Sequence, residues 1–149
     1  MDFSKFDKAF DLDELKKDVE EAKENGGGNY EEVPLGNYEV KVEKLELTES
    51  KTNKPMVKAQ FRIVAGEHKN QCIFMNQLVD EGFKINLINE FLKSLDSGID
   101  VYFDSFKQYN DLILDIHEAI DGKLEYLLNY DETKKGYKTF TIEEVYDVE

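Results

Sequence analysis

A single cysteine, Cys72, occurs among 149 residues. No internal disulfide can form, and a reducing, intracellular setting is the simplest account of so little thiol. Histidine is nearly as scarce, with only His68 and His117. His68 and Cys72 are close in sequence, but a zinc site needs three or four ligands and no second Cys/His pair exists. Neither a metal nor a cofactor is expected. No apolar run is long enough to cross a membrane, and no pattern of a secretory leader is present. Gly26, Gly27 and Gly28 lack the lysine and flanking strand of a phosphate loop. Gly36-Asn37-Tyr38 opens a strand rather than a dinucleotide fingerprint. The carboxylates are spread along the chain, and spacing places no pair of them across a cleft. These gaps argue against an enzyme, and Cys72 suits a small core position better than a nucleophile's.

Acid is what the chain has in quantity. Its 33 Asp and Glu against 19 Lys and Arg give a net charge of -14. Such a balance speaks against nucleic acid at first sight. The distribution changes that view. Residues 36–75 hold seven cations and five acids, net +2, whereas 1–35 carry -6, 76–122 carry -7 and 123–149 carry -3. One segment of an acidic chain is positive. Acidity elsewhere keeps a protein soluble and limits indiscriminate binding to polyanions.

That positive segment has strand periodicity. Tyr38, Val40 and Val42 alternate with polar residues, and Val57, Ala59, Phe61 and Ile63 do so again after a turn at Thr52-Asn53-Lys54-Pro55. Cys72 to Met75 follows a turn at Gly66. Leu45 and Leu47 break the first strand's phase, so a bulge near Glu43-Lys44 is expected to bend it. A bent first strand can pair with both neighbours, as a small closed barrel requires. The middle strand's outward set is Met56, Lys58, Gln60 and Arg62, the last being the only arginine.

The rest of the chain reads in simple units. Asp11 caps a helix with Glu14 at its third position and a thin apolar stripe of Leu12, Leu15, Val19 and Ala22. Asn25 to Asn29 ends it as a flexible linker. A stripe so narrow must dock on something, its own domain first. Phe83, Leu87, Ile88, Phe91, Leu92 and Leu95 predict a second helix, stopped by Gly98. Tyr109, Leu112, Ile113, Ile116 and Ile120 predict a third. Two strands, 124–130 and 137–142, close the chain around a hairpin at 131–136. Glu143 to Glu149 mixes acid with apolar residues. Because Phe140, Ile142, Tyr146 and Val148 keep strand phase, a continuing strand is favoured there over an acidic recruiting tail.

The expected domains are therefore an N-terminal helix with its Gly-rich linker over 1–33 and a β-rich domain over 34–149. The second carries a helical insert at about 80–122. Five strands with helices between the third and fourth match the order of an OB-fold barrel. That fold commonly binds oligonucleotides across its second and third strands and the 1–2 and 4–5 loops. An open antiparallel sheet with helices on one face is the alternative. A single-stranded nucleic acid asks for cations along a groove and aromatic faces for stacking. The candidate cations are Lys41, Lys58 and Arg62 on strands, with Lys51, Lys54, Lys134, Lys135 and Lys138 at loops. The candidate stackers are Phe74, Tyr130 and Tyr137. Phe74 could face either way. Tyr137 is the best of the three, although cross-strand packing on Tyr130 would account for both. Arg62 could equally pair with a neighbouring glutamate such as Glu39.

Several short motifs carry a family resemblance. They are Pro34-Leu35-Gly36-Asn37-Tyr38 after the glycine-rich linker, Glu49 to Pro55, Phe61-Arg62-Ile63 with Gly66, and the capped helix before them. Over roughly residues 10–146 the chain resembles small proteins from the replication regions of phages and prophages of Gram-positive bacteria. That family was long described as a domain of unknown function and is now often described as single-stranded DNA-binding. The resemblance implies an OB-like fold in the cytoplasm of a bacterial host. It implies a non-enzymatic role coating DNA in phage replication or recombination, beside other replication or recombination proteins and away from membranes. It supplies no binding residues. The acidity supports a rival expectation, an interaction protein or DNA mimic that occupies a host DNA-binding protein.

Overall fold

The computed structural model describes residues 33–148. The expected helix from Asp11 and the linker at Gly26 to Gly28 lie outside the described residues. Five strands and two helices follow in order: β1 (Gly36–Glu49), β2 (Pro55–Ile63), β3 (Cys72–Leu78), α1 (Gly82–Ser94), α2 (Phe106–Ile120), β4 (Leu124–Glu132) and β5 (Lys138–Asp147). All strand pairs are antiparallel, in the spatial order β3-β2-β1-β4-β5. The fold is α+β, with both helices inserted between β3 and β4.

β1 organises the sheet. Its first half, Gly36 to Val40, pairs with β4, and Val40 to Glu49 pairs with β2. The register slips between Val42 and Lys44, leaving Glu43 as the extra residue of a bulge. The phase break that Leu45 and Leu47 announce is thus met where it was expected, and Val42 and Leu45 both reach the core. A bulge bends its strand and sharpens the local twist, so the sheet coils. Phe61 on β2 and Phe140 on β5 stack with ring centroids 6.1 Å apart, although two strands lie between theirs. A flat sheet would separate those strands by about 14 Å.

The coil does not close. No ladder joins β3 to β5 among the described residues, so the sheet is open and the expected closed barrel is not formed. The helices explain the gap. α1 packs against both β3 and β5 and stands where a β3–β5 ladder would run, while α2 packs on β1. Ile88, Phe91 and Leu92 of α1 and Leu112, Ile113 and Ile116 of α2 are buried in the same core as Val40, Phe61 and Leu128. Two buried tyrosines tie the helices down by their hydroxyls. Tyr126 donates to the carbonyl of Leu95 at 2.8 Å, and Tyr109 donates to Asn89 Oδ1 at 2.5 Å. Burial raises both phenols, Tyr109 to about 12. A buried phenol with a partner keeps its packing without leaving an unpaired dipole.

Two local expectations are revised. β5 does continue through Asp147, so the acidic end is strand at least that far. Its phase shifts, however, at an irregularity between Leu127 and Leu128 on β4. Val145 faces the core in place of Tyr146, whose hydroxyl donates to Glu144 Oε2 at 2.8 Å. Of the apolar residues expected to bury along α1, Phe83 stays 61% and Leu87 57% exposed. No helix among the described residues is long and apolar enough to cross a membrane.

Candidate nucleic-acid interface

Residues directly opposite one another in a ladder share a face of the sheet. Val40, Val42 and Leu45 point inward, so the outward rows follow from register. Lys41 lies opposite Arg62, Lys44 opposite Gln60, and Lys58 between Glu46 and Asn76. Phe74 lies opposite Gln60 on the same outer face. The bulge adds Lys44 to this face, a cation missing from the sequence-based set. Its signal was present, because any bulge before Leu45 turns Lys44 outward.

Arg62 is not available as a groove cation. Its Nε donates to Glu43 Oε2 at 2.7 Å and its Nη2 to Glu43 Oε1 at 3.1 Å, while Nη1 donates to the carbonyl of Asn70 at 2.8 Å. The partner is the bulged Glu43 rather than Glu39. The Arg62 hydrogen bond holds the Glu43 carboxyl below the usual carboxylate range. Lys54 is likewise engaged, 3.2 Å from Asp80, which also receives Lys84 at 3.0 Å. That cluster joins the β1–β2 turn to the start of α1, and Lys84 in particular lowers the Asp80 carboxyl. Lys51 sits in the same turn.

The β4–β5 hairpin presents a second group. Gly136, with φ +88°, accepts the left-handed turn position that a side chain would resist. Its N–H donates to the Thr133 carbonyl at 2.9 Å, which leaves Lys134 and Lys135 exposed at the tip. Tyr137 follows, 70% exposed. Tyr130 does not belong to the site. It is 5% exposed and stacks on Phe140 with centroids 5.7 Å apart, so it is core, and it is Phe140 rather than Tyr137 that packs against it. Lys138 lies 5.5 Å from the Tyr130 ring centroid and 2.9 Å from Glu132 Oε2.

Between these groups runs a cleft of about 540 Å³. Its walls are the β3 edge from Phe74 to Gln77, the α1 side chains Leu87, Ile88 and Phe91, and the hairpin and β5 from Gly136 to Thr141. It occupies the opening left where the sheet fails to close. Phe74, Tyr137 and Lys138 line it together. Lys58 lies directly opposite Asn76, which lines the cleft. Lys41 and Lys44 lie farther out on the same face, and Lys51 and Lys54 at the β1–β2 turn. Among the described residues Lys41, Lys44, Lys58, Lys134 and Lys135 form no ion pair. The arrangement therefore offers flat rings within an open groove and ammonium groups on two of its sides. Neither histidine lines the cleft: His68 Nδ1 meets Gln71 Oε1 at 2.9 Å and His117 Nε2 meets the Val42 carbonyl at 3.2 Å.

Comparison with known proteins gives one finding. A family model described as a protein of unknown function (DUF669) matches residues 17–114, a span from before β1 to the middle of α2. No curated protein matches the chain.

Proposed function

The chain belongs to the DUF669 family of proteins of unknown function, and from its geometry we propose that it binds single-stranded DNA without enzymatic activity and with little sequence preference. The observation that carries the proposal is the cleft, which is lined by Phe74 and the 70% exposed Tyr137, with the exposed Lys134 and Lys135 in the same β4–β5 hairpin as Tyr137. Stacking on an aromatic ring tolerates any base, and lysines follow a phosphate backbone without reading sequence. The strand order supports the same view. It is that of an OB barrel left open between β3 and β5, with a long bulged first strand shared by two neighbours. The resemblance to phage and prophage replication proteins supports a role in phage DNA replication or recombination inside a bacterial host cell.

Titration of a fluorescent oligo-dT at two salt concentrations tests the proposal. Binding is expected to saturate and to weaken with salt. Tyr137→Ala is expected to weaken it by roughly 5- to 150-fold, the loss of one stacked base at about 1–3 kcal/mol. No binding at low salt would sink the idea. A second reading then takes its place, because Arg62, Lys54 and Lys138 each face a carboxylate. An acidic chain of that kind suits an interaction protein or DNA mimic that occupies a basic host protein.

A further inference from the structure

The two walls of the cleft differ in chemistry. On the hairpin side, residues 131–138 hold three lysines and two acids, and Lys134 and Lys135 are exposed at the turn. On the α1 side, residues 80–94 hold two lysines and three acids. Both of these lysines face carboxylates. Lys84 Nζ lies 3.0 Å from Asp80 Oδ1 and 3.4 Å from Glu81 Oε1, and Lys93 Nζ lies 3.6 Å from Glu90 Oε1. A phosphate set along α1 would meet acids and lysines already engaged, whereas one set along the hairpin would meet ammonium groups. What α1 offers instead is apolar surface. Leu87 lines the cleft and is 57% exposed, and Phe83 is 61% exposed. The two are four residues apart on one side of the helix, about 6 Å along its axis. Lys84 Nζ lies 5.8 Å from the Phe83 ring centroid, yet most of that side chain is open to solvent. Two large apolar neighbours beside a groove form a patch of the kind that contacts a ligand.

We propose that a single strand lies in the cleft with its phosphates along the β4–β5 hairpin and its bases turned toward α1, and that Phe83 receives a base in addition to those at Phe74 and Tyr137. The inference rests on the single-stranded DNA reading and deepens it. It gives the strand an orientation, and it carries the stacking track one helical turn beyond the residues that line the cleft. Charge selects this occupant for the α1 patch. A base is flat and uncharged, so it suits a wall that is apolar and anionic, while its phosphate lies across the groove beside the lysines. A second copy of the chain, itself at -14, would bring more acid to that wall.

Titration of the full chain with oligo-dT over a range of salt concentrations separates the two kinds of contact, because phosphate contacts set the slope of log affinity against log salt. Phe83→Ala is expected to weaken binding roughly 5- to 150-fold at every salt concentration, the loss of one stacked base, with the slope and the melting temperature unchanged. Phe83→Tyr keeps a flat ring and is expected to bind as the wild type does. Ultraviolet crosslinking of an iodouracil-substituted oligonucleotide, mapped by peptide mass spectrometry, is expected to join a base to the peptide that holds Phe83. A Phe83→Ala chain that binds oligo-dT as tightly as the wild type would overturn the proposal, and so would crosslinks confined to peptides outside α1. A wild-type chain that binds no oligo-dT would instead end the reading on which the proposal rests.

Discussion

Two side chains of one type can have opposite roles, and only their surroundings decide. Tyr130 and Tyr137 flank the same hairpin and both suggest stacking from sequence. One is sealed against Phe140, while the other stands in solvent beside the cleft. Alternation could have placed Tyr130 inside, since Tyr126 and Leu128 precede it at two-residue steps; its closeness to the hairpin concealed that. Arg62 teaches a similar lesson. Its outward position is legible in the alternation of β2, but its partner is not, because Glu43 reaches it only through the bulge. The pair makes a pH-dependent contribution to stability. Glu43 has a lowered pKa in the folded state. Its contribution is therefore present above the unfolded value, near 4.3, and is lost as pH falls through the folded value. Glu43→Gln is expected to cost about 1 kcal/mol at pH 7, a partly exposed but bidentate pair. The Tm gap between the two proteins, roughly 3–5 °C, should shrink towards zero in melts carried down to pH 3. A gap that persists there would assign the loss to packing rather than to charge.

Among the elements, the strands were the most legible and the helix starts the least. Period-two alternation with a phase break reveals β1, its bulge and β2, because one buried face dictates both register and side-chain direction. α2 begins at Phe106, earlier than its apolar pattern suggests, because Ser105 and Gln108 close a capping box. That signal was in the sequence as Ser-x-x-Gln but carries no hydrophobic period. Closure of the sheet could not be read at all, since it depends on where α1 docks between distant edges. The hairpin yields a prediction of its own. Lys134 and Lys135 form the turn, and neither makes an ion pair among the described residues. Each phosphate they neutralise adds about 0.7 to the slope of log affinity against log salt for a single strand. Lys134→Gln with Lys135→Gln should flatten that slope by about 1.4 while the melting temperature stays put, because both side chains are exposed. An unaltered slope would remove the hairpin from the binding track and leave the outer face of β1 and β2 to carry it.

At the scale of the whole molecule, the proposed binding requires a particle of net charge -14 to admit a polyanion. The answer lies in distance. At about 0.01 M salt the Debye length is about 30 Å, so an approaching strand senses the entire negative charge. Near 0.15 M it is about 8 Å, and the strand senses chiefly the lysines around the cleft. Encounter should therefore speed up as salt is added over this range, the reverse of electrostatic steering. Contacts within the bound complex obey the opposite rule, since returning counterions displace ammonium groups from phosphates. Dissociation should then rise with salt more steeply than association, and the equilibrium affinity should fall. Stopped-flow mixing with labelled oligo-dT separates the two. An association rate constant larger at 0.15 M than at 0.01 M salt is the expected result. One that drops with salt would mean that local cations govern approach from the outset, and the acidic remainder would need another explanation than restraint on indiscriminate binding.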